Sequence, residues 1–196
     1  MEARERWEID GGKSWLGFSL RHIVVSEIQG QFRTWGGEMT LAPDDVASAE
    51  IRVWVDVISI DTGSAERDAH VRSAEFLDTA QFPRAEFNST AVRLRRDGEA
   101  EVTGFLQLHG ISRPVDIVVV AKQTWLDDKG LMRAAYDVDA EIDRQAFGLR
   151  WNQDMDIGGF VVGDRVHLRA RLEMVRVADA DARGVRKQNE RGVPAR

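Results

Sequence analysis

Between residues 14 and 177 apolar and polar side chains alternate with period two in segment after segment, the pattern of strands that bury one face. Leu16, Phe18 and Leu20 open the series. Ile51, Val53, Val55 and Val57 follow, set between Glu50, Arg52, Trp54 and Asp56, and their β-branching favours a strand over a helix. Val102, Leu106 and Leu108 share a face with Gly104, and the next segment, Val115 to Ala121, is apolar on both faces. The spacing predicts a tight connection at His109-Gly110-Ile111-Ser112, with Pro114 at the first position of the strand that follows. Beyond the turn at Asp127-Asp128-Lys129-Gly130, Met132, Ala134, Tyr136, Val138, Ala140 and Ile142 alternate with charges. The last run, Val166 to Met174, shifts parity at Val175 and Val177, which predicts a bulge or strand end near Met174.

Adding 26–41, interrupted at Gly30 and Gly36-Gly37, and 84–96 gives about eight strands joined mostly by short turns. The fold class expected is therefore all-β. An eight-stranded antiparallel barrel in up-and-down order leaves no open edge and has room for its own side chains or one small ligand, with an open sandwich as the alternative.

Alternation fails over residues 61–82. Ala65, Ala69, Val71 and Phe76 sit there among charges in a helix-compatible pattern, after an N-cap expected at Asp61 or Thr62. This reads as a helical excursion over one barrel end. The chain divides into a lead at 1–6, a barrel domain at 7–177 and a charged, core-poor tail at 178–196 expected to be disordered.

Composition narrows the function. With 27 lysines and arginines against 33 aspartates and glutamates the net charge is −6, which opposes a nucleic-acid backbone. Cysteine is absent, so disulfides and thiolate chemistry are excluded. The longest purely apolar run, Ile117 to Ala121, is far short of the roughly 20 residues of a membrane-spanning helix. No apolar signal-peptide core precedes Trp7, and a cytoplasmic location is the expectation.

Candidate chemistry concentrates in Arg67-Asp68-Ala69-His70-Val71-Arg72-Ser73-Ala74-Glu75-Phe76. A nucleophile reading joins Ser73 or Ser59 to His70 and Asp68, yet no nucleophile elbow surrounds either serine. A metal reading has only His22, His70, His109 and His167 to draw on, none at ligand spacing. The glycines of Gly158-Gly159-Phe160-Val161-Val162-Gly163 lack a phosphate-binding lysine and read as a loop feeding the last strand. Two readings of the block remain. In one, Arg67 and Asp68 pin the excursion while His70 and Ser73 satisfy backbone groups. In the other, Arg67, Asp68 and His70, with His22 at the end of the first barrel strand, meet the polar head of a ligand whose tail enters the barrel past Phe18, Phe76 and Phe87.

The order of short motifs is more specific than any one of them. Trp7-x-Ile9-Asp10, Phe18-Ser19-x-x-His22, Gly30-x-Phe32, Ser59-Ile60-x-Thr62, the block at 67–76, and Phe82-Pro83 are followed by Gly104-x-Leu106-x-Leu108-His109-Gly110-x-Ser112-x-Pro114-Val115, Ile142-Asp143-Arg144-x-x-Phe147-Gly148-Leu149 and Val162-Gly163-Asp164-x-Val166. Over residues 7 to 175 the chain resembles the YceI-like proteins, lipocalin-like barrels that bind isoprenoids. The resemblance implies a non-enzymatic carrier or store for a long-chain isoprenoid lipid, a polyprenyl phosphate or an isoprenoid quinone, with no resident cofactor. It also implies a homodimer, for which Trp35 and Trp54 are the expected anchors. Two other readings stand beside it: an enzyme on an apolar substrate with His70 and Asp68 as acid and base, and a scaffold whose barrel is filled by Phe87, Met132 and Tyr136.

Overall fold

A computed structural model describes residues 4–22, 26–96, 98–150 and 162–177, with backbone only for His22 and Ser26. The glycine-rich run before Val162, the tail at 178–196 and residues 1–3 of the lead lie outside the described residues. Eleven strands are present among them: β1 (Glu5–Ile9), β2 (Trp15–His22), β3 (Ser26–Phe32), β4 (Trp35–Ala42), β5 (Asp45–Asp56), β6 (Ile60–Asp61), β7 (Arg84–Leu94), β8 (Glu99–Leu108), β9 (Ile111–Leu126), β10 (Met132–Asp143) and β11 (Val162–Val177). Their hydrogen-bonded order is β1-β4-β5-β7-β8-β9-β10-β11-β2-β3-β6, and β1 also pairs with β11.

That order resolves into eight positions around a closed antiparallel barrel. β1 and β2 run in one direction along successive stretches of β11, Ile9 opposite Met174 and Trp15 opposite Arg171. β3 and β4 follow them as one interrupted strand, and β6 continues the path of β5 by pairing with β3. The eight-stranded barrel expected from alternation is the fold.

Details differ for physical reasons. β1 lies in a stretch that period-two reading passed over; Trp7 turns inward and is 7% exposed, Glu5 on the same face accepts from its indole N–H at 3.3 Å and pairs with Arg176, and Glu8 pairs with Arg6 on the other face. The break in 26–41 falls at Arg33-Thr34, and the glycines lie inside strands because large side chains cover them. A Cβ on Gly30 would stand 2.4 Å from the Phe18 ring, and one on Gly104 would stand 2.5 Å from that of Phe87. The β8–β9 connection is only His109-Gly110. Both have positive φ, 51° and 72°, as a two-residue hairpin with right-twisted strands requires. Ile111 and Ser112 already belong to β9, and Pro114 is its fourth residue. β10 pairs with β9 only from Ile117 onward, so the missing N–H of Pro114 breaks no ladder there. β11 runs on through Met174 to Val177 without a register shift, because β1 takes up its end; its bulge lies between Val162 and Val166. Trp35 and Trp54 are half-buried, and Trp54 lies against Gly36 with the Arg84 guanidinium 5.0 Å from its ring centroid.

The interior has two parts. Trp7, Met39, Leu41, Phe87, Val102, Ala134 and Met174 close together at one end, joined by Met132 and Tyr136. Val57, Ile60, Leu77, Ala85, Ile142, Phe147 and Leu149 gather at the other, and there the packing leaves space.

Candidate functional site

That space is a cavity of about 570 Å³, within the range of sites that enclose a small organic ligand. Its wall is built by strand parity. Leu16, Phe18 and Leu20 of β2, Ile28 and Phe32 of β3, Val55 of β5, Ala85 of β7, Leu106 and Leu108 of β8, Ile142 of β10, and Val166 and Leu168 of β11 all turn inward. The Phe18 and Phe32 rings meet with centroids 5.6 Å apart.

The polar rim comes from the excursion. One α-helix is present among the described residues, α1 (Ala65–Arg72), capped by Ser64, whose Oγ accepts from the Arg67 N–H. The cap is thus two or three residues later than Asp61 or Thr62; Asp61 is still in β6. Residues 73–82 form turns, so the helix fills only part of the excursion. α1 has little apolar surface of its own, and polar tethers hold it. Asp68 Oδ1 accepts from Thr62 N–H at 2.9 Å and Thr62 Oγ1 at 2.6 Å. Arg67 donates to Thr62 Oγ1 at 2.8 Å and to its carbonyl at 2.7 Å. Arg72 donates to the Ile60 carbonyl.

Of the side chains singled out in the sequence, Phe18, Arg67, His70 and Phe76 line the cavity together with Thr62, Ser64, Glu66 and Val71. His70 Nε2 lies 3.3 Å from a Glu75 carboxylate oxygen, and Ser73 Oγ donates to the His70 carbonyl. Asp68 is buried and spent on Thr62, and it does not reach the cavity. Phe87 packs in the closed end. His22 ends β2 opposite Val162, a cavity residue. The acid–base pair His70 and Asp68 therefore does not meet at the cavity wall.

Arg144 is a charged cavity residue to which the sequence assigned no role. It is 2% exposed, and its guanidinium donates to the carbonyls of Leu149 at 2.6 Å, Gly163 at 3.0 Å and Val162 at 3.2 Å, and to Asp164 at 3.1 Å. Burial pulls its pKa below the ordinary arginine value while the Asp164 and Asp143 carboxylates oppose the shift. It staples the segment after β10 to the start of β11 at the cavity end. The signal was available in Asp143-Arg144 and Gly163-Asp164, two motifs whose side chains meet here.

A closed antiparallel barrel with a one-ended apolar cavity and a helix across its rim defines a lipocalin-like class. The YceI-like domain model matches residues 7–174, and the chain belongs to the YceI-like family. A YceI protein of Escherichia coli O157:H7 is 33% identical over 142 residues, covering 72% of this chain and 73% of that one. A UPF0312 protein of Vibrio vulnificus is 35% identical over 126 residues, covering 64% and 67%. Among solved structures, Burkholderia cenocepacia BcnA superposes with a TM-score of 0.73 at 23% identity, covering 84% of this chain and 98% of its own. A polyisoprenoid binding domain from Saccharophagus degradans, implicated in plant cell wall breakdown, superposes with a TM-score of 0.65 at 16% identity, covering 87% and 98%.

Proposed function

We propose that the protein binds and carries or stores an isoprenoid lipid by enclosing its chain, without covalent chemistry and without a resident cofactor. The observation that carries this reading is the cavity itself, whose strand-borne wall is hydrocarbon and whose polar side chains lie off the strands, on the rim over residues 62–70 and at Arg144, where carbonyls and Asp164 take up the guanidinium. An isoprenoid chain offers many apolar carbons and few polar atoms. Taking it from water stabilises the complex by about 25 cal/mol per Å² covered, and such a wall needs no specific hydrogen bonds. Family membership and the fold shared with a domain described as polyisoprenoid binding support the same reading.

Protein purified from its own host is expected to release an isoprenoid on organic extraction, identified by mass spectrometry. Extracts without one, together with no uptake of added quinone or polyprenol, would overturn the proposal.

A further inference from the structure

The border between the two parts of the interior is sharp along the strands that cross it. On β5, Val55 lines the cavity and Val53, the next inward residue, packs in the closed end. On β7 the same step separates Ala85 from Phe87, and on β9 it separates Val115 from Ile117. Leu106 of β8, opposite Phe87 in register, touches both sides. Phe87 is held in place from behind, since its ring fills the space above Gly104. The barrel is therefore a cup with a floor, open towards α1 and solid beyond Phe87.

We propose that this floor makes the protein selective for chain length, taking up only about four or five isoprene units at the packing density of a protein interior. The inference rests on the isoprenoid-carrier reading above. The three inward residues Leu16, Phe18 and Leu20 span about 13 Å of strand, less than the extended length of such a chain, so it fills the cup folded across its width. A chain that ends at the floor exchanges one apolar surrounding for another when it leaves a bilayer. A longer chain must leave its excess in water at the rim, and each exposed methylene lowers relative uptake roughly fourfold. Every further unit beyond the limit costs at least about tenfold.

The test is partition from phosphatidylcholine vesicles that contain equal amounts of prenols with two to nine units, followed by re-isolation of the protein and mass spectrometry of what it carries. The expected profile is flat up to about five units and falls at least tenfold per unit beyond. Recovery of the nine-unit prenol in the same proportion as the shorter ones would overturn the length limit while leaving the carrier reading intact. Recovery of no prenol at all would overturn both. Ala85→Leu, which fills the cup from its wall without disturbing the packed end, is expected to move the cut-off to shorter prenols, and Phe87→Ala to longer ones. An unchanged cut-off in a folded Ala85→Leu protein would remove the floor as its cause.

Discussion

Thr62 is gripped by two neighbours of opposite charge. Asp68 accepts from its N–H and hydroxyl, and Arg67 donates to its hydroxyl and carbonyl. Truncating Asp68 leaves the half-buried Thr62 N–H without its acceptor. Asp68→Ala is therefore expected to cost about 1–3 kcal/mol, measured by urea unfolding, with Asp68→Asn losing less because its amide oxygen still accepts. Gly104 makes a second prediction at this scale: any side chain there meets the Asn88 carbonyl at 2.4 Å and the Phe87 ring at 2.5 Å. Gly104→Val is expected to lower the thermal midpoint by several degrees or prevent folding, as overpacking of about 1–3 kcal/mol does in a domain of this size. The polar block at 67–76 was readable as functional groups in the sequence, but their partners were not. Which hydroxyl a carboxylate finds depends on the turn geometry of residues 61–64, which residue type alone does not set.

Four elements meet at Arg133 on the closed half of the barrel. Its guanidinium donates to Asp10 beyond β1 at 2.8 Å, to Asp127 beyond β9 at 2.7 Å and to Glu173 in β11 at 2.5 Å. Hydrogen bonds from Arg133 and from the Leu131 and Lys129 N–H groups hold Asp127 down at about 2, and Arg133 lowers Asp10 as well. A carboxyl with a depressed folded-state pKa adds stability above its unfolded pKa, and that stability is lost as pH falls through the folded value. Arg133→Gln is thus expected to be less stable than the parent near neutral pH, with the gap in urea midpoints narrowing below about pH 4 and closing near pH 2. A gap that stays constant across that range would show that Arg133 acts by packing alone. No motif announced this cluster, because its members lie up to 163 positions apart and converge only through barrel closure.

At the level of the whole molecule, a solid half and a hollow half share one hydrogen-bonded ladder. Local opening follows packing and pairing, so amides of β10 near Ala134, paired on both sides in the packed end, are expected to exchange more slowly than those near Ile142, which pairs only with β11. Filling the cup should slow exchange at the Ile142 end selectively, measured by hydrogen–deuterium exchange with and without a bound prenol; equal slowing at both ends would contradict this. Outside β1, period-two alternation was enough to place the inward residues, since parity decides which way a strand residue points. It could not tell hollow from solid. Phe87, Phe18 and Val55 have the same parity signature, and only the neighbours across the barrel decide whether the space beside each is occupied.

The sixteen residues from Val162 to Val177 join β10 to both β1 and β2, so the last described strand bonds to the first two. Until this strand has been synthesised, the sheet is an open trough with two unpaired edges. Contacts of such long sequence separation form late and slowly, and exposed edges in the meantime invite aggregation. For this chain, a ribosome that stalls before residue 162 yields no smaller barrel, only a sheet that cannot hold its own interior dry.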